Sequence, residues 1–226
     1  MNTNYKMLGA VVALPLAAFF LLNNSFLLGK PSPTAVILAL DESGSKRQDK
    51  VFNEQQEKLC RATTKHLRGG DHLSTLLFAD TTQVAQETAY TDKMQGAKFC
   101  KQLKNTVSSQ KTIGQSGGTD FVMALEHGSR RLQHLAAESK DAAKVRRLLI
   151  LSLHADDSAK VDVERNKKIV DAIDIHLRDR TTVLVLTKDN RLTRTLDQIN
   201  SPHFKVCPIT SHQHCLDWAF SAAAKP

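Results

Sequence analysis

A chain of 226 residues, 41% of them hydrophobic, has room and aliphatic content for one globular domain with a real core and a short appendage. The net charge is +8 and the isoelectric point about 9.4, a balance that favours acidic partners or surfaces. Lys and Arg are scattered among acids along the sequence and no aromatic-interleaved basic patch occurs, which argues against nucleic acid as a partner.

Residues Met7 to Leu22 are nearly all apolar, with Lys6 just before them. Asn23, Asn24 and Ser25 interrupt, and Phe26-Leu27-Leu28 resume the run. The uninterrupted part is about the length of a signal-peptide core; through Leu28 it reaches the ~20 residues a spanning helix needs. No Ala-x-Ala cleavage site follows. The segment reads as an uncleaved signal-anchor, with a cleaved signal peptide as the alternative; Pro15 in its middle argues against a helix packed on the domain. Both favoured readings place the globular part outside the cytoplasm. Lys30-Pro31-Ser32-Pro33 is a stiff linker, so residues 1–33 are the appendage and 34–226 the domain. Without Lys6 and Lys30 the domain keeps a net charge of +6.

Thr34 to Leu40 is an apolar run with the character of a buried strand. Asp41-Glu42-Ser43-Gly44-Ser45 follows. An Asp-x-Ser-x-Ser loop can aim three hard oxygens at one point, which suits a hard divalent cation. By itself it reads equally as a Ser/Gly turn with Asp41 capping the next helix. That helix is expected from Gln48 to Leu67, with Val51, Phe52, Gln55, Leu59, Ala62, Thr63 and His66 as its apolar stripe. Arg68-Gly69-Gly70-Asp71 is a turn, glycine being the usual helix stop. Strands at His72–Ala79 and Gln83–Thr88 are joined so closely that they should be antiparallel.

Asp92 starts a helix to Val107 with Met94, Ala97, Phe99 and Leu103 available for burial. A polar stretch then leads into Gly117-Gly118-Thr119-Asp120. The two glycines admit a close ligand or positive φ. Thr119 and Asp120 begin the helix Phe121–Leu135 and can cap it. Arg147 to Leu153 is a second clearly buried strand, followed by His154-Ala155-Asp156-Asp157-Ser158. A helix over Val161–Arg178, a strand Thr181–Leu186, a helix Asn190–Ile199, a strand Phe204–Cys207 and a helix Ser211–Ala223 complete the chain. Such alternation requires right-handed crossovers and a parallel sheet covered on both faces.

Asp41-x-Ser43-x-Ser45 together with Gly-Gly-Thr119-Asp resembles the von Willebrand factor A family and its metal-ion-dependent adhesion site. The resemblance spans about Thr34 to Phe220. It implies a doubly wound, mostly parallel α/β sheet of Rossmann type, with one antiparallel edge strand and helices on both faces. It further implies that Ser43 and Ser45 bind a cation directly, Thr119 directly or through water, and Asp41 through water. The cation would be Mg²⁺, or Mn²⁺ or Ca²⁺, and an Asp or Glu of a protein partner would complete its shell. The family's third loop brings an Asp at the strand end before Gly. Here direct counting places Leu153 or His154 at that point, so Asp156 becomes the fifth ligand only if the loop bulges, with Asp157 and His154 as substitutes. The departure leaves a metal-free interaction scaffold as the alternative reading.

No enzyme is expected. Asp-Glu-Ser-Gly after a first strand also resembles some ribonuclease H-like nucleases, but those need several carboxylates on adjoining strands and only Asp80 ends the second strand. Asp-x-Asp is absent, and the histidines define no Ser-His-Asp order. The four cysteines, Cys60, Cys100, Cys207 and Cys215, form no zinc spacing. Disulfides are permitted in an exported chain: Cys207 with Cys215 would close a small loop and Cys60 with Cys100 would join two helices. Three pairings exist and buried free thiols remain equally open. His212 and His214 beside Cys215 are a thin soft-metal candidate without a second half.

Overall fold

The computed structural model describes residues 32–43, 49–90, 93–109, 119–139, 142–154 and 163–225. The chain divides into two units, Met1–Ser32 and Pro33–Pro226. The first, apart from Ser32, lies outside the described residues, and with it the expected anchor. Among the described residues no helix is long and apolar enough to cross a membrane.

Six strands form one sheet: β1 (Thr34–Asp41), β2 (His72–Phe78), β3 (Thr82–Ala89), β4 (Arg146–Leu153), β5 (Thr181–Thr187) and β6 (Phe204–Pro208). Their order is β3-β2-β1-β4-β5-β6. All neighbours are parallel except β2 and β3. The antiparallel edge follows from the short Ala79–Thr81 turn, where the Ala79 N–H donates to the Thr81 carbonyl at 2.9 Å; no crossover fits in so few residues. Among the described residues the helices are α1 (Lys50–His66), α2 (Lys93–Ser109), α3 (Phe121–Ala137), α4 (Val163–Arg178), α5 (Asn190–Leu196) and α6 (His212–Ala223). Short 3₁₀ turns at Ala142–Lys144 and Ile209–Ser211, absent from the sequence reading, lead into β4 and α6.

The sheet separates two apolar layers. On one face Val36, Leu38 and Leu40 of β1 pack with Phe52 and Leu59 of α1, Phe99 and Leu103 of α2, and Leu216 and Ala219 of α6. On the other, Ala35, Ile37 and Ala39 pack with Phe121, Leu125 and Leu132 of α3, Ile169 and Ile173 of α4, and Leu192 and Leu196 of α5. β1 alternates between the layers because successive side chains of a strand point to opposite faces. Both layers belong to Thr34–Ala223, so the Pro33–Pro226 unit carries a complete core of its own.

Cys60 pairs with Cys100, their Cα atoms 5.9 Å apart, and Cys207 with Cys215 at 6.7 Å. No free cysteine remains. The first bridge ties the middle of α1 to the middle of α2. The second removes Cys215 as a thiolate ligand and with it the soft-metal candidate beside His212 and His214.

Helix burial departs from the expected stripes in an instructive way. Val51 and Met94, both expected inside, are 66% and 85% exposed, and Ala97 is exposed too. Gln56, Cys60 and Thr64 are buried on α1 instead of the half-exposed Gln55 and His66. Glycine does not stop α1 either. The helix ends at Leu67, whose backbone is extended, and Gly70, at φ +97°, shapes the following turn. Only glycine enters that region without strain. The helix after β5 ends at Leu196, earlier than the expected Ile199.

Candidate metal centre at the carboxyl edge of the sheet

The site is built on the last residue of β1. β1 lies in the middle of the sheet, flanked by β2 and β4, so its carboxyl end is walled by the ends of two neighbours. Asp41 pairs in register with Phe78, the last residue of β2, and the Glu42 N–H continues the ladder onto the Phe78 carbonyl at 2.8 Å. The Asp41 side chain is fully buried. Its Oδ1 accepts from the Ser43 N–H at 2.8 Å and its Oδ2 from the His154 N–H at 2.9 Å. One carboxylate thus joins the first loop to the third. Burial raises its pKa above the ordinary 3.8, while the two N–H groups and the Ser43 hydroxyl pull the other way.

Gln56 of α1 holds the same edge from below. Its amide nitrogen donates to the Asp41 carbonyl at 3.2 Å and to Ser152 Oγ on β4 at 3.4 Å. Sequence reasoning missed this residue, since a glutamine on a helix face gives no signal until the facing strand ends are known.

The second loop arrives over the end of β2. The Asp120 N–H donates to the Ala79 carbonyl at 2.6 Å, and the Asp120 carboxylate caps α3 by accepting from the Met123 N–H at 2.9 Å. This double tether sets Thr119, 8% exposed, at the same sheet edge as Asp41. Asp120 is therefore occupied as a helix cap, as its position suggested.

The third loop begins with His154, 7% exposed. Its backbone serves Asp41, but its ring turns away. Nε2 lies 3.1 Å from Asp49 Oδ2, and the ring meets Phe52 edge-on at 4.9 Å. Its Nδ1 is buried without a hydrogen-bond partner among the described residues. Asp49 caps α1 through the Phe52 N–H at 2.9 Å. Its Oδ2 also receives the Lys188 ammonium. Lys188, first, and the Phe52 N–H hold the Asp49 carboxyl far below the usual carboxylate range. Asp49 and Lys188 were not singled out in the sequence; the cap position of Asp49 was the available signal.

Of the five expected ligands, the structure brings Asp41, Ser43 and Thr119 to one edge. Ser45 and Asp156 lie outside the described residues, as does Asp157. Among the described residues no three His, Cys, Asp or Glu side chains gather as a metal-holding group; the expected ligands that are described supply one carboxylate, Asp41, and the hydroxyls of Ser43 and Thr119. They fit a hard divalent cation on one observation. Asp41 is a fully buried carboxylate held by N–H groups and a hydroxyl, with lone pairs to spare, and a nearby cation would offset the cost of burying its charge.

No protein-family model matches the sequence, and no curated protein sequence matches it. Solved structures do match the fold. Manganese-loaded TRAP protein of Plasmodium vivax superposes with a TM-score of 0.57 at 12% identity, over 84% of this chain and 74% of that one. The pilus adhesin SpaC of Lactobacillus rhamnosus GG gives 0.57 at 12%, over 86% of this chain and 31% of that one. The von Willebrand factor A domain of SpRpn10 gives 0.55 at 11%, over 82% and 94%. This chain spans about half the length of another match, the proximal thread matrix protein 1 of mussel byssus, which covers 85% of this chain and 48% of its own. With one antiparallel edge strand on a parallel sheet, helices on both faces and these likenesses, the chain has the von Willebrand factor A fold.

Proposed function

We propose that this domain is a protein-interaction module whose binding end is the carboxyl edge of the sheet. Asp41, Ser43, Ser45 and Thr119 hold a divalent cation there, Mg²⁺ or Mn²⁺, with Asp156 as the acid of the third loop. When bound, the cation supplies a Lewis-acidic position that an Asp or Glu carboxylate of a partner can fill. The protein's part is to hold hydroxyls rather than charges around that position, which leaves the cation short of negative charge. The observation that carries this reading is the buried Asp41 carboxylate, clamped between the first and third loops with the hydroxyl of Ser43 upon it. The fold neighbours that bear adhesion or manganese in their names support the same class. In this proposal the domain lies outside the cytoplasm, held to a membrane by residues 1–33, and performs no catalysis. Disulfides in both Cys60–Cys100 and Cys207–Cys215 accord with an oxidising compartment.

A second reading is a scaffold that binds partners without metal. His154 favours it: the residue at the end of β4 is no acid, and its ring shares Asp49 with the Lys188 ammonium, so basic groups already lie at this edge. Calorimetric titration of Mg²⁺ and Mn²⁺ separates the two. Saturable heat that disappears in the Ser43→Ala, Ser45→Ala double variant supports the metal site. No heat from the folded domain, alone and with acidic peptides present, leaves the metal-free scaffold.

A further inference from the structure

The basic residues that look scattered along the sequence are gathered in space. α1 and α2 together hold eight Lys or Arg against Glu54 and Glu57, a net +6, and the rest of 33–226 balances to zero. The two helices are neighbours on one face of the sheet and run antiparallel. Cys60 bonds to Cys100, Glu57 meets Lys104 at 2.9 Å, and Gly96 packs so closely on Thr64 that a Cβ there would lie 2.7 Å from the Thr64 Cβ. The bridge and the close glycine contact make the pair one rigid slab.

Its solvent side has a definite composition. At about 100° per residue, Val51, Glu54, Lys58, Arg61 and Lys65 share one stripe of α1, and Met94, Lys98 and Lys101 share one stripe of α2. All eight are exposed. Each stripe thus begins with a bulky apolar side chain in water and is basic beyond it, with Glu54 the one acid on either. Among the described residues only four large hydrophobics are exposed, and Val51 and Met94 are two of them. Lysines outnumber arginine seven to one on the two helices. Ammonium groups are point charges suited to a diffuse anionic surface, whereas bidentate recognition of individual carboxylates or phosphates calls for Arg.

We infer that the α1–α2 face docks on an anionic phospholipid surface, lysines among the headgroups and Val51 and Met94 at the acyl boundary. Clustered lysines on an exposed surface are drawn to anionic headgroups, and an apolar side chain exposed beside them gains by entering the acyl boundary. This does not rest on the metal reading, since Asp41 and its loops lie at the strand ends rather than on this face.

The test uses the Pro33–Pro226 unit, which carries its own core, with its disulfides formed. It is sedimented with vesicles of phosphatidylcholine alone or of phosphatidylcholine mixed with phosphatidylglycerol. Binding is expected only to the mixed vesicles and should weaken with salt. Reversing Lys58, Lys65, Lys98 and Lys101 to Glu should lower it at least about a hundredfold. Val51→Ser with Met94→Ser should lower it several-fold with every charge intact, which a purely ionic contact would not show. Circular dichroism and the two disulfides report that each variant is folded. Wild type that ignores mixed vesicles, or binds them undiminished after the four reversals, overturns the inference. So does charge-dependent binding of soluble polyglutamate or heparin without vesicle binding, which would assign the face to a soluble polyanion.

Discussion

Asp41 and Asp71 hold opposite ends of the sheet with nearly the same geometry. Asp41 closes the carboxyl end of β1, with the Ser43 and His154 N–H groups on its two oxygens at 2.8 and 2.9 Å. Asp71 closes the amino end, accepting from the Thr34 and Arg68 N–H groups at 2.7 Å each. Both are buried, and each clasps two segments remote from one another in the chain. A buried carboxylate gripping two backbone N–H groups is therefore a structural clasp first, at either end. What separates them is the surroundings. Asp71 sits in a closed turn whose backbone pairs with Tyr90. Asp41 sits beneath loops bearing Ser43 and Thr119, with the third loop starting on its other oxygen. The metal reading rests on the Asp41 clasp together with those hydroxyls and that position, which Asp71 lacks.

The comparison is broken most directly by removing each carboxylate. Asp71→Ala strands the buried Thr34 N–H and the part-buried Arg68 N–H and should cost about 3 kcal/mol in urea unfolding. Asp41→Ala strands two as well but relieves a carboxylate whose pKa burial has raised, so it should cost less, about 1–2 kcal/mol. Equal losses would show that burial does not tax Asp41. His154→Asp sharpens the functional half of the contrast by restoring an acid where β4 ends. It should tighten Mn²⁺ about tenfold, a gain of about 1.4 kcal/mol, and lower Tm when metal is removed, since it places a third carboxylate near Asp41 and Asp49. Unchanged Mn²⁺ affinity would mean that position does not face the cation.

Smaller effects lie away from both clasps. His176 is buried with Nε2 donating to the Leu125 carbonyl at 2.9 Å, and burial lowers its pKa below 6.5. The unfolded chain therefore takes up a proton at about pH 6.5 that the fold refuses, so stability falls as pH drops from there towards the folded value. His176→Gln keeps a donor for Leu125 and should flatten that part of the stability profile; an unchanged slope would assign it to other groups. Lys188→Ala breaks a partly exposed ion pair with Asp49 and should cost under about 1 kcal/mol, read as a small shift in urea midpoint.

Much of this architecture is legible in the sequence because its signals are local. The runs Thr34–Leu40 and Arg147–Leu153 announce buried parallel strands by composition, and the short connection after β2 dictates the antiparallel edge. Asp120 reads as a cap and is one. Asp41, Ser43 and Thr119 stand out in the sequence by their spacing and the family resemblance. What was not legible depends on partners far along the chain. Val51 and Met94 fit apolar stripes, but which arc of a helix faces the sheet is decided by where the bridge and the Gly96 contact fix α1 against α2. Gln56, Asp49 and Lys188 acquire meaning only when the ends of β1, β4 and β5 are side by side. His154 was weighed as a ligand or a polar tip, and its ring proves committed to Asp49. Asp156 and Ser45 fall outside the described residues.

The most direct test of the central claim is the binding of Mn²⁺ to the folded domain, read from the loss of the free-ion electron paramagnetic resonance signal, in wild type, Asp41→Asn and Asp71→Asn. The account predicts one saturable site in wild type and in Asp71→Asn, displaced by Mg²⁺, and none in Asp41→Asn. Equal binding by all three folded proteins, or binding lost only in Asp71→Asn, would contradict it and take the cation away from the carboxyl edge of the sheet.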